Sequence, residues 1–347
     1  MNLEKTIKYR NIWMAIAIVW VMLFHSSLVI HNSVLSFIKQ IGYGGVDIFM
    51  FASGLGCFYS LSKDSNPNQF LKRRFNKIMP TFWCFLVFYI IYKKLNGGIG
   101  ISAIIGNILC LQSFTFNGNS FNWYIDCLWL FYFLAPYIYF RTQKMGNHFS
   151  AIWFVLILLL FSIPFFNCHN FIVMATRLPL FFMGMYMGKL SQKKDYKLSI
   201  PFVIILIIGM IFGIVMLKYS LVHYAKYLWN YGLYWYPFIF ITPGLCLCIS
   251  QLCLLIEKIF IGRGIIKIIS VVGSHTLEIY LVHVLLFEII NNKITNGEIV
   301  NNNLLWLKSL LIVVIATVIL KYLTKLVVFI LDKIKKILAF NRDGVSI

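Results

Sequence analysis

The sequence predicts an all-α integral membrane protein, a bundle of about ten transmembrane helices with both termini cytoplasmic. Three observations lead there. Of the 347 residues, 60% are hydrophobic and only 12% are charged, a mixture that no single water-soluble core of this length can bury. Apolar runs of about 17 to 25 residues, enough for a helix to cross a bilayer, recur along nearly the whole chain between short polar loops. Those runs lack the strict alternation of a transmembrane strand, so the reading is a helical bundle and not a barrel.

Taken in order, the expected crossings are 11–30, 41–61, 78–95, 122–140, 149–166, 171–190, 198–218, 235–256, 268–290 and 304–328. The first run has no small-residue cleavage site behind it and is followed at once by another apolar run, so it is a span and not a removed signal peptide. No second domain is expected: the whole chain, 1–347, reads as one transmembrane domain. Residues 96–121, rich in Gly, Asn and Ser, read as an external loop or re-entrant segment.

Charge tests that assignment. If 99–115 stays uncrossed, Lys5, Lys8 and Arg10 fall on one face with Lys63, Lys72, Arg73, Arg74 and Lys77. Arg141, Lys144, Lys189, Lys193, Lys194, Lys197, Lys258, Arg263 and Lys267 join them, as do Lys333, Lys335, Lys336 and Arg342. The opposite loops hold chiefly Lys93, Lys94, Lys218, Lys226 and Lys293. The positive-inside rule then puts both termini in the cytoplasm. It also accounts for the formal charge of +20 through the bilayer, with no nucleic-acid partner, because the basic residues are spread loop by loop. The eight cysteines show no zinc or disulfide spacing, and no metal is expected.

The segment WMAIAIVWVMLFHSS, 13–27, places an ionisable ring at the far end of the first span. At 1.5 Å per residue His25 lies about 20 Å beyond Asn11. Ionisable groups within spans usually face a bundle interior or a water-filled cavity. The alternative is a neutral histidine in a helix-to-helix hydrogen bond, worth about 1 kcal/mol. Asp47 and Asp126 fall near the ends of spans two and four, Arg177 inside span six, and Glu278 and His283 inside span nine. With only 11 acidic residues in the chain, their placement there points to a shared polar cavity. In it Arg177 would pair with Asp47 or Asp126, leaving His25 free for proton transfer, while His283 is read as a packing residue.

Five stretches, in order along the chain, resemble the membrane-bound acyltransferase-3 family. GYGGVDIFMFASGLGCFYSL, 42–61, resembles its glycine-rich FF-x-x-SG second span, and FLKRRFNKIMPTFW, 70–83, its basic approach to span three. NWYIDCLWLFYFLAPY, 122–137, looks like its WY/WF-x-x-x-L-x-x-x-Y-x-x-x-P span, and RLPLFFMGMYMGKL, 177–190, its R-x-P-x-F-x-x-G-x-x-x-G span. SHTLEIYLVHVLLFE, 274–288, resembles its late S-x-x-x-Y-x-x-H span.

That resemblance implies transfer of an acyl group, most often acetyl, from cytoplasmic acyl-CoA to a saccharide on or beyond the other face of a bacterial plasma membrane. It also implies a functional histidine eleven residues after a basic one, with ten residues between them; His25 stands at the histidine position, whereas Met14 stands at the basic one. Arg10, one turn lower, is about 22 Å from His25 along the helix and about 60° round it. Phosphate contacts for CoA are therefore expected from Arg10, Arg73, Arg74 and Lys77. In the chemistry so implied, His25 takes the acceptor proton or briefly carries the acyl group. Asp47 or Asp126 orients the ring, and Arg177 or a backbone N–H stabilises the oxyanion. Trp123 and Tyr124, with Phe116 and Phe121, are expected to meet the saccharide acceptor. A transporter of a lipid-linked saccharide, or a catalytically inactive scaffold as Met14 would allow, are the competing readings.

Overall fold

The computed structural model describes residues 2–114, 121–146, 148–193, 195–224 and 227–343, and among them every regular element is a helix. Phe116, Lys194 and Lys226 lie outside the described residues, as do the side chains of Lys335, Lys336 and Arg342. A short α1 (Leu3–Ile7) leads into α2 (Arg10–His25), which stops where its side chains cease to be apolar. An amphipathic α3 (Ser33–Gln40), capped by the Asn32 side chain on the Val34 and Leu35 amides, connects to α4 (Gly45–Lys63). Next, α5 (Pro67–Leu95) starts on an Asn66 cap with proline at its first position, and its interior Pro80 is tolerated as in other membrane helices.

The described part of the 96–121 segment is α6 (Ile101–Ile108) and a 3₁₀ turn at Gln112–Phe114. Eight helical residues rise about 12 Å, too little to cross a bilayer core. The chain continues through α7 (Trp123–Lys144), α8 (His148–Ser162), α9 (His169–Ala175), α10 (Leu178–Ser191), α11 (Ile200–His223) and α12 (Tyr236–Ile256). It ends with α13 (Phe260–Ser274), α14 (Thr276–Thr295) and the 41-residue α15 (Asn303–Asp343).

Among the described residues, eight helices are long and apolar enough to span a membrane, nine if a bent pair is one span, where the sequence led us to expect about ten. The shortfall has a physical reason. At 22 residues, α7 is long enough, but Asp126 and the tyrosines, tryptophans and proline of residues 123–140 dilute its hydropathy. The expected 268–290 span is two helices, α13 and α14, bent by 67° at His275. Both exceptions carry polar side chains into the bundle, and α14 lines the candidate site.

Burial sorts the helices into a centre and a rim. In α4, and in the α9–α10 stretch Asn170–Ser191, 78% of the most apolar window is buried, against 11% in α11 and 17% in α15. Small residues make the central crossing. A Cβ on Gly54 would fall 1.9 Å from the Phe181 carbonyl oxygen, and one on Gly184 2.0 Å from that of Phe51. The two backbones therefore touch, which is how membrane helices pack where lipid supplies no hydrophobic drive. This contact sets Asp47, near the start of α4, opposite Arg177, at the start of α10.

Candidate active site

Among the described residues, polar groups gather at each end of α2. His25 is the last helical residue of α2, half-buried, and its Nδ1 lies 3.0 Å from Nε2 of the fully buried His283 on α14. The rings are nearly parallel, 25° apart. The other nitrogen of His283, Nδ1, is 2.9 Å from the Ile279 carbonyl oxygen one turn back. Two further bonds fix the end of α2: Asn291 Nδ2 donates to the His25 carbonyl at 3.0 Å, and Ser27 Oγ donates to Asn291 Oδ1 at 2.7 Å. His283, Phe287 and Asn291 are four residues apart and so share the α14 face that meets α2.

His25 opens on a cavity of about 610 Å³, within the range of ligand-binding clefts. Its walls are aromatic: Phe24, Tyr43, Tyr89, Phe121, Trp123, Trp229, Tyr234, Trp235 and Tyr280. Gln40, Asn170, Lys93, Glu288 and Arg177 supply the polar groups. Lys93 Nζ donates to Glu288 Oε1 at 2.6 Å across the rim. Arg177 is 1% exposed and its guanidinium lies over the rings of Trp123 and Trp235, at 5.0 and 5.5 Å. Its Nη2 is 3.4 Å from Asp47 Oδ2 and its Nη1 donates to the Val173 carbonyl at 2.8 Å. Arg177 Nε and Asp47 Oδ1 have no hydrogen-bond partner in the described structure.

The expected residues do not all meet here. Arg177, Trp123, Phe121 and His25 line the cavity, and Asp47 lies behind Arg177. The His25 ring meets His283 and not Asp47 or Asp126, the carboxylates expected to orient it, because both are engaged elsewhere. Asp126 accepts the Ser113 amide at 2.8 Å and Asn122 Nδ2 at 3.2 Å, tying the 3₁₀ turn of the 96–121 segment to the start of α7. Tyr124, expected at the acceptor, is in the core beneath the cavity, its ring 5.0 Å from Tyr280 and 5.8 Å from Phe49.

At the opposite end of α2, Arg10 Nε donates to the Ala52 carbonyl at 2.8 Å and its guanidinium rests on Gly56. Arg74 Nη2 donates to the Gly56 carbonyl at 2.7 Å, and its guanidinium stacks on Phe70 and Tyr132. Lys77 is one turn further along α5, more exposed, within reach of the charges of both arginines and of Glu278. Arg73, expected in the same cluster, turns away: its Nη1 meets Asp64 Oδ2 at 2.5 Å on the surface. The Asp64 carboxyl is held below the usual carboxylate range by the Asn66 amide first and by Arg73 second. Met14, where the resemblance implied a basic residue, packs on the apolar core.

Among the described residues, neither Arg10, Arg74 nor Lys77 lines the His25 cavity: its floor is Tyr280, and Tyr124 lies between that floor and Arg10. Sequence reasoning missed Trp229, Tyr234, Trp235, Lys93 and Glu288, and it assigned His283 to packing.

Fold and cavity together define a polytopic membrane protein that brings a buried ion pair and a histidine pair to one aromatic chamber. The chain belongs to the acyltransferase-3 family: residues 11–323 match the family described as Acyltransferase domain. It is therefore a membrane acyltransferase. No curated protein and no solved structure matches it.

Proposed function

We propose that this protein is an O-acyltransferase of the bacterial plasma membrane. It moves an acyl group, acetyl in the first instance, from cytoplasmic acyl-CoA to a hydroxyl of a cell-surface or lipid-linked saccharide. The Arg10 end of the bundle is then cytoplasmic, with both chain termini, and the His25 end faces outward. One observation carries this reading: α2 bears at one end an imidazole open to an aromatic cavity, and at the other an arginine beside a second arginine and a lysine.

Those ends suit the two substrates. Arg10, Arg74 and Lys77 hold the phosphates of CoA, and the about 22 Å rise from Arg10 to His25 is comparable with an extended pantetheine arm. On its way the thioester passes the Tyr124–Tyr280 pair, so transfer entails movement of those rings. Trp123, Trp229 and Trp235 offer flat faces to a sugar ring. In the transfer itself, the acceptor hydroxyl oxygen attacks the thioester carbonyl carbon as its proton passes to His25. The tetrahedral oxyanion is stabilised by the cationic edge of Arg177. The C–S bond then breaks, the ester is released, and the imidazolium returns the proton to the leaving thiolate.

Membranes supplied with labelled acyl-CoA test this. Wild type is expected to place label on a glycan, and His25→Ala to abolish it with the protein still present at normal level. Label transfer that survives His25→Ala rejects the role given to His25; export of unlabelled glycan without transfer identifies a transporter instead.

A further inference from the structure

We propose that His283 is the positioning residue of the reaction: by accepting a hydrogen bond from His25 it selects the tautomer that makes His25 a base. This rests on the reading above and names a part that reading leaves open, namely which ring nitrogen meets the acceptor.

The argument follows protons along a chain of three groups. The Ile279 carbonyl oxygen can only accept, so the 2.9 Å contact puts a proton on His283 Nδ1. His283 is 0% exposed and no carboxylate lies within ion-pair distance of it among the described residues, so a second proton would create a buried charge with no counter-ion. Neutral His283 then presents the Nε2 lone pair. His25 Nδ1, 3.0 Å away, must donate to it. A neutral imidazole carries one proton, so His25 Nε2 is left bare. That nitrogen has no hydrogen-bond partner among the described residues, on a ring that lines the cavity.

Packing keeps the chain in register. The His283 ring lies between Tyr280 and Phe287, with centroids 5.6 Å from each, and Trp306 of α15 backs Phe287 at 5.1 Å. Asn291, two turns above His283, holds the His25 carbonyl, so α14 grips both the ring and the backbone of the same residue. The 67° bend at His275 separates α14 from α13, and both helices pack against α2. The device is that of a catalytic histidine held by a second acceptor on its far nitrogen, with a neutral imidazole in place of a carboxylate. During transfer the acceptor's proton goes to His25 Nε2 and later to the thiolate, while His25 keeps its Nδ1 proton and its bond to His283 throughout.

Two measurements test it, one of them independent of activity. With ¹⁵N-histidine in the full chain in lipid, and His25→Gln used to assign the signal, wild-type His25 is expected as the Nδ1–H tautomer. In His283→Leu that signal should move toward Nε2–H, and in His283→Gln, whose carboxamide oxygen sits where Nε2 was, it should stay. In the labelled acyl-CoA assay, His283→Leu should lower kcat on the order of 100-fold with KM for acyl-CoA little changed, and His283→Gln should recover most of the loss. An Nε2–H tautomer for wild-type His25 overturns the proposal whatever the variants do. So does a His283→Leu chain with unchanged tautomer and kcat. If wild type transfers no label yet shows the Nδ1–H tautomer, the acyl-transfer reading has failed and the histidine chain stands.

Discussion

At the His25 end every charged side chain that lines or backs the cavity has a counter-charge: Arg177 faces Asp47 at 3.4 Å and Lys93 meets Glu288 at 2.6 Å. At the Arg10 end the positions are reversed. Arg10 and Arg74 are satisfied by backbone carbonyls of Ala52 and Gly56, and neither meets a carboxylate within ion-pair distance among the described residues. A carbonyl fills a donor's hydrogen-bonding capacity but leaves its charge standing. The first arrangement suits a neutral, hydroxyl-bearing ligand that binds by stacking and hydrogen bonds; the second suits a polyanion, which completes an incomplete electrostatic set. The difference teaches that charge balance, more than the number of charges, separates the two ends of α2, as the acceptor chamber and phosphate site proposed above require.

The largest effect should come from breaking the balanced end. Arg177→Met leaves Asp47, 0% exposed, as a carboxylate without its partner. Loss of one member of a buried pair costs about 3 to 5 kcal/mol. Purified protein in detergent should therefore melt at markedly lower temperature, and expression should fall. Adding Asp47→Asn removes the stranded charge and should restore most of the melting temperature without restoring transfer. Equal melting of single and double variants would mean that the pair is not the unit that holds α4 to α10.

The reach of sequence reasoning follows the same division. His25, Asp47 and Arg177 stand out because an ionisable group in an apolar run is costly wherever it occurs. Their grouping was legible; the roles were not. Asp47 and Asp126 occupy similar places at the starts of α4 and α7, yet one faces an arginine and the other holds a backbone amide. Nothing in the local pattern separates them. His283 looked like a packing residue because its partner is 258 positions away. Trp229, Tyr234 and Trp235 drew no reading from the sequence, where no polar or spacing pattern marks them, and only the fold turns them toward His25. The helix count shows the converse: α7 and α14 fell short of a simple apolar criterion because they carry polar groups into the bundle.

A test of the unbalanced end should show a smaller effect, confined to one substrate. Replacing Arg10 and Arg74 together by Gln keeps hydrogen-bond donors for Ala52 and Gly56 but removes two charges. A charge-assisted contact to phosphate contributes about 1.5 to 3 kcal/mol. The KM for acyl-CoA should rise by about 10- to 100-fold while the KM for the glycan acceptor stays the same. Arg73→Gln, at a side chain already committed to Asp64, is the internal control and should leave both unchanged. A rise in the acceptor KM instead would place the CoA phosphates elsewhere.

The smallest effect is expected at the rim, and it is the finest test of the contrast between the two ends. Lys93 and Glu288 are 28% and 31% exposed, so their bond is screened, and such pairs are worth about 0 to 1 kcal/mol. Glu288→Gln keeps an acceptor for Lys93 and leaves one positive charge uncompensated at the cavity mouth. The protein should melt as wild type does, and the KM for a neutral glycan should change by less than about fivefold. The informative arm is an acceptor carrying a carboxylate. If the cavity is built for a neutral ligand, the variant, with its new net charge, should improve such an acceptor relative to the neutral one, more at low salt than at high. An improvement in acyl-CoA binding instead would mean that the donor's phosphates reach the rim, and the division of the two substrates between the two ends of α2 would be wrong.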